Sequence, residues 1–498
     1  MTLNRRSFVK TGCGGFASSF LAPVAWDPAR PFLDITKGLT VQPVFMYRIP
    51  QRKEQTSWKS WGGIQTEEAA TQERARIDRE LAALAASSTL PLKFLPVAPV
   101  SSPEQAAKIH ESTHDALLLY ACTGSGQLLT SCISPRKDSL IFVRHRSGPV
   151  YYWYEALSTR YLSTSGGDSE RHGTASGGRV HVDDVVVDDY RELLSKLRGL
   201  SGANNLLGTR IVALGGPMGK YSPEAPEVAQ KKFNIRIIDV SYDDFAPRIQ
   251  AARANPGLVS AAQQCARNYL ELPATTLRTD LSFLTNAFLL YHLFKELLAE
   301  HSASAFTIKN CMNTIMPMAE TTACLTLSLL NDEGLMAFCE SDFVIIPAGI
   351  LLHHVSGLPV FLHNSTFPHQ RLVTCAHCTA PRRMNGKDYN PALILTHYES
   401  DYGAAPKVEI RPGQEVTFVD PEYSSGRWVG IKGIVRANPF YEICRSQQDV
   451  EIQGNWELLK GEARDSHWVM AYGDHLTELG YAARKLGIRW TDISRFRG

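Results

Sequence analysis

The sequence predicts an α/β fold in which two α/β/α parallel-sheet domains precede a C-terminal domain with an antiparallel β unit. From about Leu39 onward, continuous apolar runs of strand length alternate with longer runs of helical spacing, which is typical of parallel sheets covered on both faces. After about Pro391, short strands alternate with turn residues, which is typical of antiparallel pairing. The chain has 498 residues, and at ~150 residues per domain this length indicates about three domains.

The first domain is predicted over residues 26–205. A helix is expected over residues 67–86, where apolar and alanine residues recur at helical spacing. The stretch 163–178 is rich in serine, glycine and threonine, and it predicts a long loop that is a candidate cover for a site. The strands expected in this domain are 41–47, 92–97, 116–122 and 140–143.

The second domain is predicted over residues 206–370. A strand at 210–214 leads into the glycine-rich turn 215–219, and Asp239 lies near the end of the next strand. A glycine-rich turn followed by an acidic residue suggests a dinucleotide site, but the spacing is not Gly-x-Gly-x-x-Gly and Pro217 interrupts it. We interpret the turn as a tight strand-to-helix connection, with a nucleotide cradle as the alternative.

The C-terminal domain is predicted over residues 371–498. Turn residues at 412–413 and 424–426 separate its short strands, and a closing helix is expected over 477–486. The strands expected in this domain are 407–410, 415–419, 428–435 and 449–453.

Charge and hydropathy exclude several classes of protein. Lys and Arg number 52 and Asp and Glu number 50, so the net charge of +2 provides no basic footprint for nucleic acid. The hydrophobic fraction of 44% and the charged fraction of 20% are those of an ordinary globular protein. No apolar run approaches the ~20 residues that span a bilayer, so no stable membrane insertion is expected.

Residues 1–25 resemble a twin-arginine signal peptide. Arg5 and Arg6 are followed by Phe8 and then by a weakly apolar, glycine-rich run, with Ala22 or Ala25 as the cleavage point. The resemblance implies recognition by the twin-arginine export machinery and a periplasmic or secreted protein that is exported folded. The alternative is an N-terminal helix that begins with two arginines.

Ten cysteines are present, and nine remain after the predicted cleavage, so they cannot all pair within one chain. Many of them lie in apolar runs, where buried thiols are common. Cys375 and Cys378 have the spacing of a redox motif, but they lack the strand-to-helix context of thioredoxin chemistry.

Chemically versatile side chains concentrate around the ends of predicted strands between residue 331 and the C-terminus. Glu340 and Asp342 lead into the apolar run 343–355, His363 follows the predicted strand 357–362, and His377 and His467 flank two further strands. An α/β scaffold presents a metal site with carboxylates and imidazoles at strand ends. Single histidines are more often structural, but the repetition of this placement favours a site. Arg382 could contact a hydroxylated or anionic ligand, and Trp468 could stack on a sugar or lie in the core.

Four motifs in order resemble the L-fucose/L-arabinose isomerase-like family. Cys-Glu-Ser-Asp at 339–342, followed after residue 357 by Pro-Val-Phe, resembles the metal-binding segment of that family. The run Cys-Ala-His-Cys-Thr-Ala-Pro at 375–381 resembles the His-Cys-Thr-Ala-Pro segment of fucose isomerase-like proteins. Thr-His-Tyr-Glu-Ser at 396–400 and His-Trp-Val-Met-Ala-Tyr-Gly-Asp at 467–474 resemble C-terminal motifs of the family.

The family interconverts aldoses and ketoses with a divalent metal, typically Mn²⁺, and the resemblance implies that Glu340 and His467 are metal ligands. The family's second carboxylate follows the Pro-Val-Phe strand, where this chain has His363 and Asn364 instead. We expect one of these two residues to complete the site. The resemblance also implies a homo-oligomer with active sites near subunit contacts.

Loss of the second carboxylate removes one candidate base and leaves the metal site more positive. Our hypothesis is that Glu340 is the remaining base or ligand and that a second acidic residue compensates. Candidates for this compensation are Asp342, Glu333 and Glu399. Candidates for sugar contacts are His377, Arg382, His397 and Trp468.

The predicted function is metal-dependent interconversion of aldose and ketose through an enediol. The alternative is an exported, non-catalytic or redirected carbohydrate-binding protein of the same fold. A periplasmic sugar-binding protein, in which two α/β lobes close on a ligand, needs no metal. A bound divalent metal therefore discriminates between these classes.

Overall fold

The computed structural model describes residues 26–134, 136–151, 157, 180–422 and 426–495. The predicted signal peptide and the predicted loop 163–178 lie outside these described residues, as do two residues of the predicted turn 424–426. Among the described helices, none has both the length and the apolar character required to cross a membrane.

The first sheet is built from β1 (Leu39–Met46), β2 (Leu92–Phe94), β3 (Ala98–Val100), β4 (Ala116–Ala121), β5 (Asp138–Val143) and β6 (Val185–Val187). All pairings are parallel, in the order β2-β1-β4-β5-β6, with β3 also paired to β1. Only the first part of the predicted strand 92–97 forms a strand, β2, and β3 begins after Pro96, which has no N–H to donate to the ladder. The helices of this region are α1 (Glu67–Ser87), α2 (Pro103–His110), α3 (Gly126–Cys132) and α4 (Tyr190–Leu206).

The middle of the chain contributes β7 (Arg210–Leu214), β8 (Arg236–Val240), β9 (Thr275–Leu277), β10 (Ala305–Ile308) and β11 (Met336–Phe338). Four of them form a second parallel sheet in the order β11-β10-β7-β8. The carboxyl ends of β7, β10 and β11 therefore meet at one edge, where Gly215, Lys309 and Cys339 follow them. The accompanying helices are α5 (Ala225–Phe233), α6 (Tyr242–Ala254), α7 (Pro256–Leu270), α8 (Leu281–Glu300), α9 (Ile315–Ala319), α10 (Cys324–Asp332) and α11 (Ile346–Ser356).

The last part of the chain forms β12 (Phe361–Ser365), β13 (Leu372–His377), β14 (Ala392–His397), β15 (Tyr402–Val408), β16 (Glu415–Glu422), β17 (Arg427–Ala437), β18 (Ser446–Gln453), β19 (His467–Tyr472) and β20 (Arg489–Asp492). Six strands pair antiparallel in the order β16-β19-β12-β13-β18-β17, and pairing of β16 with β17 closes them into a barrel. Strand β20 joins β17 in parallel, and β14 bridges β15 to β9. The helices here are α12 (Trp456–Glu462) and α13 (Leu476–Lys485).

The chain is therefore a mixed α/β protein with two parallel sheets and an antiparallel C-terminal unit, which confirms the predicted fold class at this level. The barrel begins with β12, ahead of the boundary predicted at residue 371. The second sheet and the barrel also share one apolar core, which includes Leu214 and Phe306 from the sheet and Phe418 from the barrel. This shared core fixes the edge of the second sheet against the ends of the barrel strands.

Candidate metal centre

Three side chains converge where the second sheet meets the barrel: Glu340, His377 and His467. Each offers one ligand atom, and these atoms lie within 4.8 Å of one another. The His377 Nε2 atom is 3.7 Å from Glu340 Oε1, and the His467 Nε2 atom is 3.5 Å from Glu340 Oε2. Two imidazole nitrogens and one carboxylate oxygen at this spacing form a cluster able to hold a divalent metal.

Glu340 is presented by a strained backbone at the carboxyl end of β11. Its φ angle is +63° and that of Ser341 is +49°, so two consecutive residues other than glycine occupy the left-handed region. Contacts with the turn after β7 hold this segment in place. Met218 donates its N–H to the Ser341 carbonyl at 3.1 Å, and Phe343 donates its N–H to the Met218 carbonyl at 2.8 Å. Left-handed backbone that its surroundings fix in this way is common at functional sites.

The glycine-rich turn 215–219 is the partner in this docking. The N–H groups of Gly215 and Gly216 donate to the carbonyls of Val240 and Ala213, so they are satisfied within the protein. Donors that already bond to the protein are not available to cradle a phosphate. This pattern agrees with the interpretation of the turn as a structural connection.

Asp342 orients His467 from behind. The Asp342 Oδ2 atom lies 2.8 Å from His467 Nδ1, and both side chains are fully buried. The other oxygen, Oδ1, accepts hydrogen bonds from the backbone N–H groups of Lys220 at 2.9 Å and Val344 at 3.1 Å. A carboxylate bonded to Nδ1 keeps the proton on that nitrogen and leaves Nε2 to act as a ligand.

Electrostatics at the centre follow from these contacts. Burial lowers the pKa of His467, but its hydrogen bonds with Asp342 and Glu340 outweigh burial and raise that pKa to about 9. Burial raises the pKa of Glu340, but the contacts with His377 and His467 outweigh it and hold that pKa well below its usual range. The Glu340 carboxylate is therefore ionised, and its side chain is 40% exposed.

His377 ends β13 and is 5% exposed. Its Nδ1 atom lies 3.1 Å from the hydroxyl of Thr379, which leaves Nε2 directed at Glu340. The sequence predicted His377 as a sugar contact, whereas the structure includes it in the cluster of possible metal ligands.

Lys220 also reaches the centre and was not among the residues that the sequence predicted. Its Nζ atom is 3.4 Å from Glu340 Oε2 and 3.3 Å from His467 Nε2. The signal that could have found it is its position, directly after the glycine-rich turn at the carboxyl end of β7. The two interpretations of that turn, a tight strand-to-helix connection and a nucleotide cradle, do not point to the lysine that follows it.

The two residues expected to complete the metal site, His363 and Asn364, are not in the cluster. The His363 ring lies among aromatic side chains, with centroid distances of 5.4 Å to Phe361, 5.4 Å to Phe418 and 6.4 Å to Trp468. Burial lowers the pKa of His363 to about 3, so its imidazole is neutral. Asn364 pairs with His467 in the β12–β19 ladder.

Arg382 and Trp468, both expected as sugar contacts, are buried within the protein. Arg382 donates hydrogen bonds to the Asn390 and Pro273 carbonyls and lies over the Tyr269 ring at 5.1 Å. Trp468 is 1% exposed and donates its indole N–H to the Asp465 carbonyl at 3.1 Å. These contacts leave neither side chain a free face for a sugar, so both residues stabilise the fold instead.

The remaining predicted residues occupy separate positions. His397 is buried at the end of β14, with Nδ1 at 3.2 Å from the Ser400 hydroxyl. Glu399 lies near its other nitrogen, at 3.9 Å. Glu333, a candidate for compensation, bonds to Lys295 at 2.7 Å and to the Tyr291 hydroxyl. Of the three candidates for compensation, Asp342 is the one in contact with a residue of the cluster.

The nine described cysteines are all free thiols, and all except Cys444 are buried. Cys375 and Cys378 belong to this set, so they form no disulfide with each other.

Comparison with known proteins gives no match, either to a protein-family model or to a curated protein.

Proposed function

We propose that this chain is a metal-dependent sugar isomerase that interconverts an aldose and a ketose. The supporting observation is the convergence of Glu340, His377 and His467, with Asp342 holding His467 from behind. A sugar-binding protein without chemistry does not need this arrangement. The reaction class comes from the motif resemblance, and the same resemblance favours Mn²⁺.

The donor set fits a divalent metal. Glu340, His377 and His467 would supply one carboxylate oxygen and two imidazole nitrogens, a set that suits Mn²⁺, Fe²⁺ or Zn²⁺. Both imidazoles are oriented through Nδ1, His467 by Asp342 and His377 by Thr379, as metal-binding histidines usually are. When bound, the ion supplies Lewis acidity, which polarises the carbonyl and the adjacent hydroxyl of the sugar.

The residues of the chain supply the remaining parts of the reaction. Isomerisation moves one proton from C2 to C1 of the sugar and a second proton from the C2 hydroxyl to the C1 oxygen. Glu340 is ionised and partly exposed, and a carboxylate has two oxygens, so one can accept a proton while the other is a ligand. Asp342 is fully buried against His467 and keeps the proton on His467 Nδ1. We assign the role of catalytic base to Glu340 and a positioning role to Asp342.

Metal analysis of the purified protein, as isolated and after incubation with Mn²⁺, tests this proposal. We expect about one equivalent of divalent metal in the wild type and a large loss in Glu340→Gln. Glu415→Gln is the matched control, because Glu415 is 42% exposed and also contacts a lysine, Lys432, at 2.7 Å. A wild type that binds no divalent metal would overturn the proposal.

Catalysis is then tested by incubating the manganese-loaded protein with a panel of aldoses and measuring ketose. We expect at least one aldose to react and Glu340→Gln to be inactive. Bound metal with no ketose from any aldose would favour the alternative of a redirected or non-catalytic carbohydrate-binding protein.

A further inference from the structure

We propose that Lys220 is a catalytic residue of this centre, whose ammonium group binds the sugar oxygen that becomes negatively charged during isomerisation. The inference rests on the proposed function, because it assigns a further role within the same site. It is carried by the position of Lys220 Nζ, 3.4 Å from Glu340 Oε2 and 3.3 Å from His467 Nε2.

The distances show that Lys220 is not committed to a tight ion pair. Charge-assisted hydrogen bonds from nitrogen to a carboxylate measure ~2.7–2.9 Å. Elsewhere in the protein, Lys295 lies 2.7 Å from Glu333, and Lys432 lies 2.7 Å from Glu415. The distances from Lys220 Nζ to both of its partners are longer than these. An ammonium has three N–H donors. A substrate oxygen beside these groups would accept a hydrogen bond from the ammonium.

Charge balance leads to the same conclusion. Among the charged groups that contact the cluster side chains, a divalent ion would offset Glu340 and Asp342, which leaves the ammonium of Lys220 as an additional positive charge. A surplus positive charge in a partly buried site is unfavourable unless a ligand supplies negative charge. Isomerisation supplies that charge transiently, when the electron pair of the C2–H bond forms the C1–C2 double bond and the carbonyl π pair moves onto the C1 oxygen.

The backbone of Lys220 is fixed by the carboxylate that also orients His467. The Lys220 N–H donates to Asp342 Oδ1 at 2.9 Å, while Oδ2 lies 2.8 Å from His467 Nδ1. The neighbouring Tyr221 has a φ angle of +59°, so the backbone directly after Lys220 is in the left-handed region. A preorganised donor of this kind stabilises developing charge without reorganising during the reaction.

In the proposed step, Glu340 accepts the C2 proton and returns it to C1, while the proton of the C2 hydroxyl moves to the C1 oxygen. Lys220 donates a hydrogen bond to the oxygen that carries the charge and transfers no proton. Atoms and electrons therefore balance without an oxidant or a reductant. Electrophilic help from Lys220 would offset the lack of a second carboxylate facing the site.

The test compares wild type with Lys220→Met and Lys220→Arg on the manganese-loaded protein. Loss of one preorganised donor costs ~100–1,000-fold in kcat. We expect Lys220→Met to lose about 100-fold in kcat with KM changed by less than about threefold, and Lys220→Arg to recover part of the loss. The matched control is Lys432→Met, because Lys432 is 25% exposed and Lys220 is 24% exposed.

A binding measurement separates this inference from the proposed function. An aldonate, the sugar acid, carries a planar carboxylate that is anionic at neutral pH, as the enediolate is, whereas the corresponding alditol is neutral. With and without Mn²⁺, we expect wild type and Lys432→Met to prefer the aldonate and Lys220→Met to lose that preference about tenfold or more.

Near-UV circular dichroism of each variant establishes that it is folded. A folded Lys220→Met that matches wild type in kcat and in aldonate preference would overturn the inference. A wild type with no aldonate preference would also overturn it. A wild type that binds no Mn²⁺ would instead overturn the proposed function, and the metal-free binding data would still decide the role of Lys220.

Discussion

Replacing Asp342 by Asn should weaken metal binding by ~10–100-fold while leaving the fold intact. In the wild type, Asp342 Oδ1 accepts two backbone N–H groups, from Lys220 at 2.9 Å and Val344 at 3.1 Å, and Oδ2 faces His467 Nδ1 at 2.8 Å. Asn has only one acceptor oxygen. If that oxygen faces the two backbone donors, the amide N–H group faces His467 Nδ1, which must then become the acceptor.

The opposite orientation of the amide is less favourable. It would direct the amide donors at the buried N–H groups of Lys220 and Val344, and each buried donor left unpaired costs ~1–3 kcal/mol. We therefore expect the orientation in which His467 carries its proton on Nε2. A protonated Nε2 cannot bind a metal, because its lone pair is occupied.

Loss of such an orienting partner typically costs ~10–100-fold in metal affinity, which corresponds to about 1.4–2.8 kcal/mol. Isothermal titration with Mn²⁺ at pH 7.5 measures this change, and thermal unfolding reports the stability of the apoprotein. Asp332→Asn is the matched control, since Asp332 is also fully buried and accepts the backbone N–H of Arg383 at 2.7 Å. Equal Mn²⁺ affinity in wild type and Asp342→Asn would refute the orienting role of this carboxylate.

The remaining predictions concern metal ligation, acid stability and thiol reactivity. Titration with Mn²⁺ should show at least about tenfold weaker binding in His377→Gln than in His363→Gln; the reverse order would support His363 as the ligand. Burial lowers the pKa of His353 to about 4, below ~6.5 in the unfolded chain, so the unfolded state binds its proton first. This residue should therefore lower the free energy of unfolding by about 3 kcal/mol as the pH falls from 6.5 to 4. Urea titrations should show that the free energy of unfolding depends less on pH in His353→Gln than in the control His145→Gln, where the histidine is exposed. A thiol reagent should label the cysteines slowly in the native protein and quickly in urea, because eight of the nine described thiols are buried; fast native labelling of most thiols would contradict this packing.

The fold class was predictable because it depends on hydrophobic periodicity. Strand β4 consists entirely of buried residues, and its apolar run ALLLYA is visible in the sequence. The barrel was predictable only as a set of antiparallel strands. Its closure depends on pairing of β19 with β16 and with β12, and β12 is recruited from a segment that follows a parallel sheet. Such long-range pairings leave no local pattern.

Two residues of the cluster, Glu340 and His467, were predicted as ligands because each lies next to a strongly apolar strand inside a recognisable motif. Lys220 could not be found in this way, since it is separated by 120 positions from Glu340 and by 247 from His467. Its position depends on the docking of one turn onto another. Trp468 shows a different limitation. It was predicted as a sugar contact, but the alternation of side chains along a strand does not reveal which face of the strand is covered by other elements.

The lack of a second carboxylate, which the motif resemblance leads us to expect, takes on a different meaning in three dimensions. In the sequence, His363 and Asn364 stand where a second carboxylate is expected, which suggests a defective metal site. In the structure, a third candidate ligand comes instead from His377 on the adjacent barrel strand, and a second carboxylate, Asp342, lies one layer behind the cluster. Because that carboxylate contacts both the His467 ring and the Lys220 backbone, one buried group can position a candidate metal ligand and a cation together. A centre with one carboxylate and one lysine facing the substrate should therefore depend more on stabilisation of the negatively charged sugar oxygen by a cation than a centre with two carboxylates. The kcat of Lys220→Met and the Mn²⁺ affinity of Asp342→Asn measure the two halves of this dependence separately.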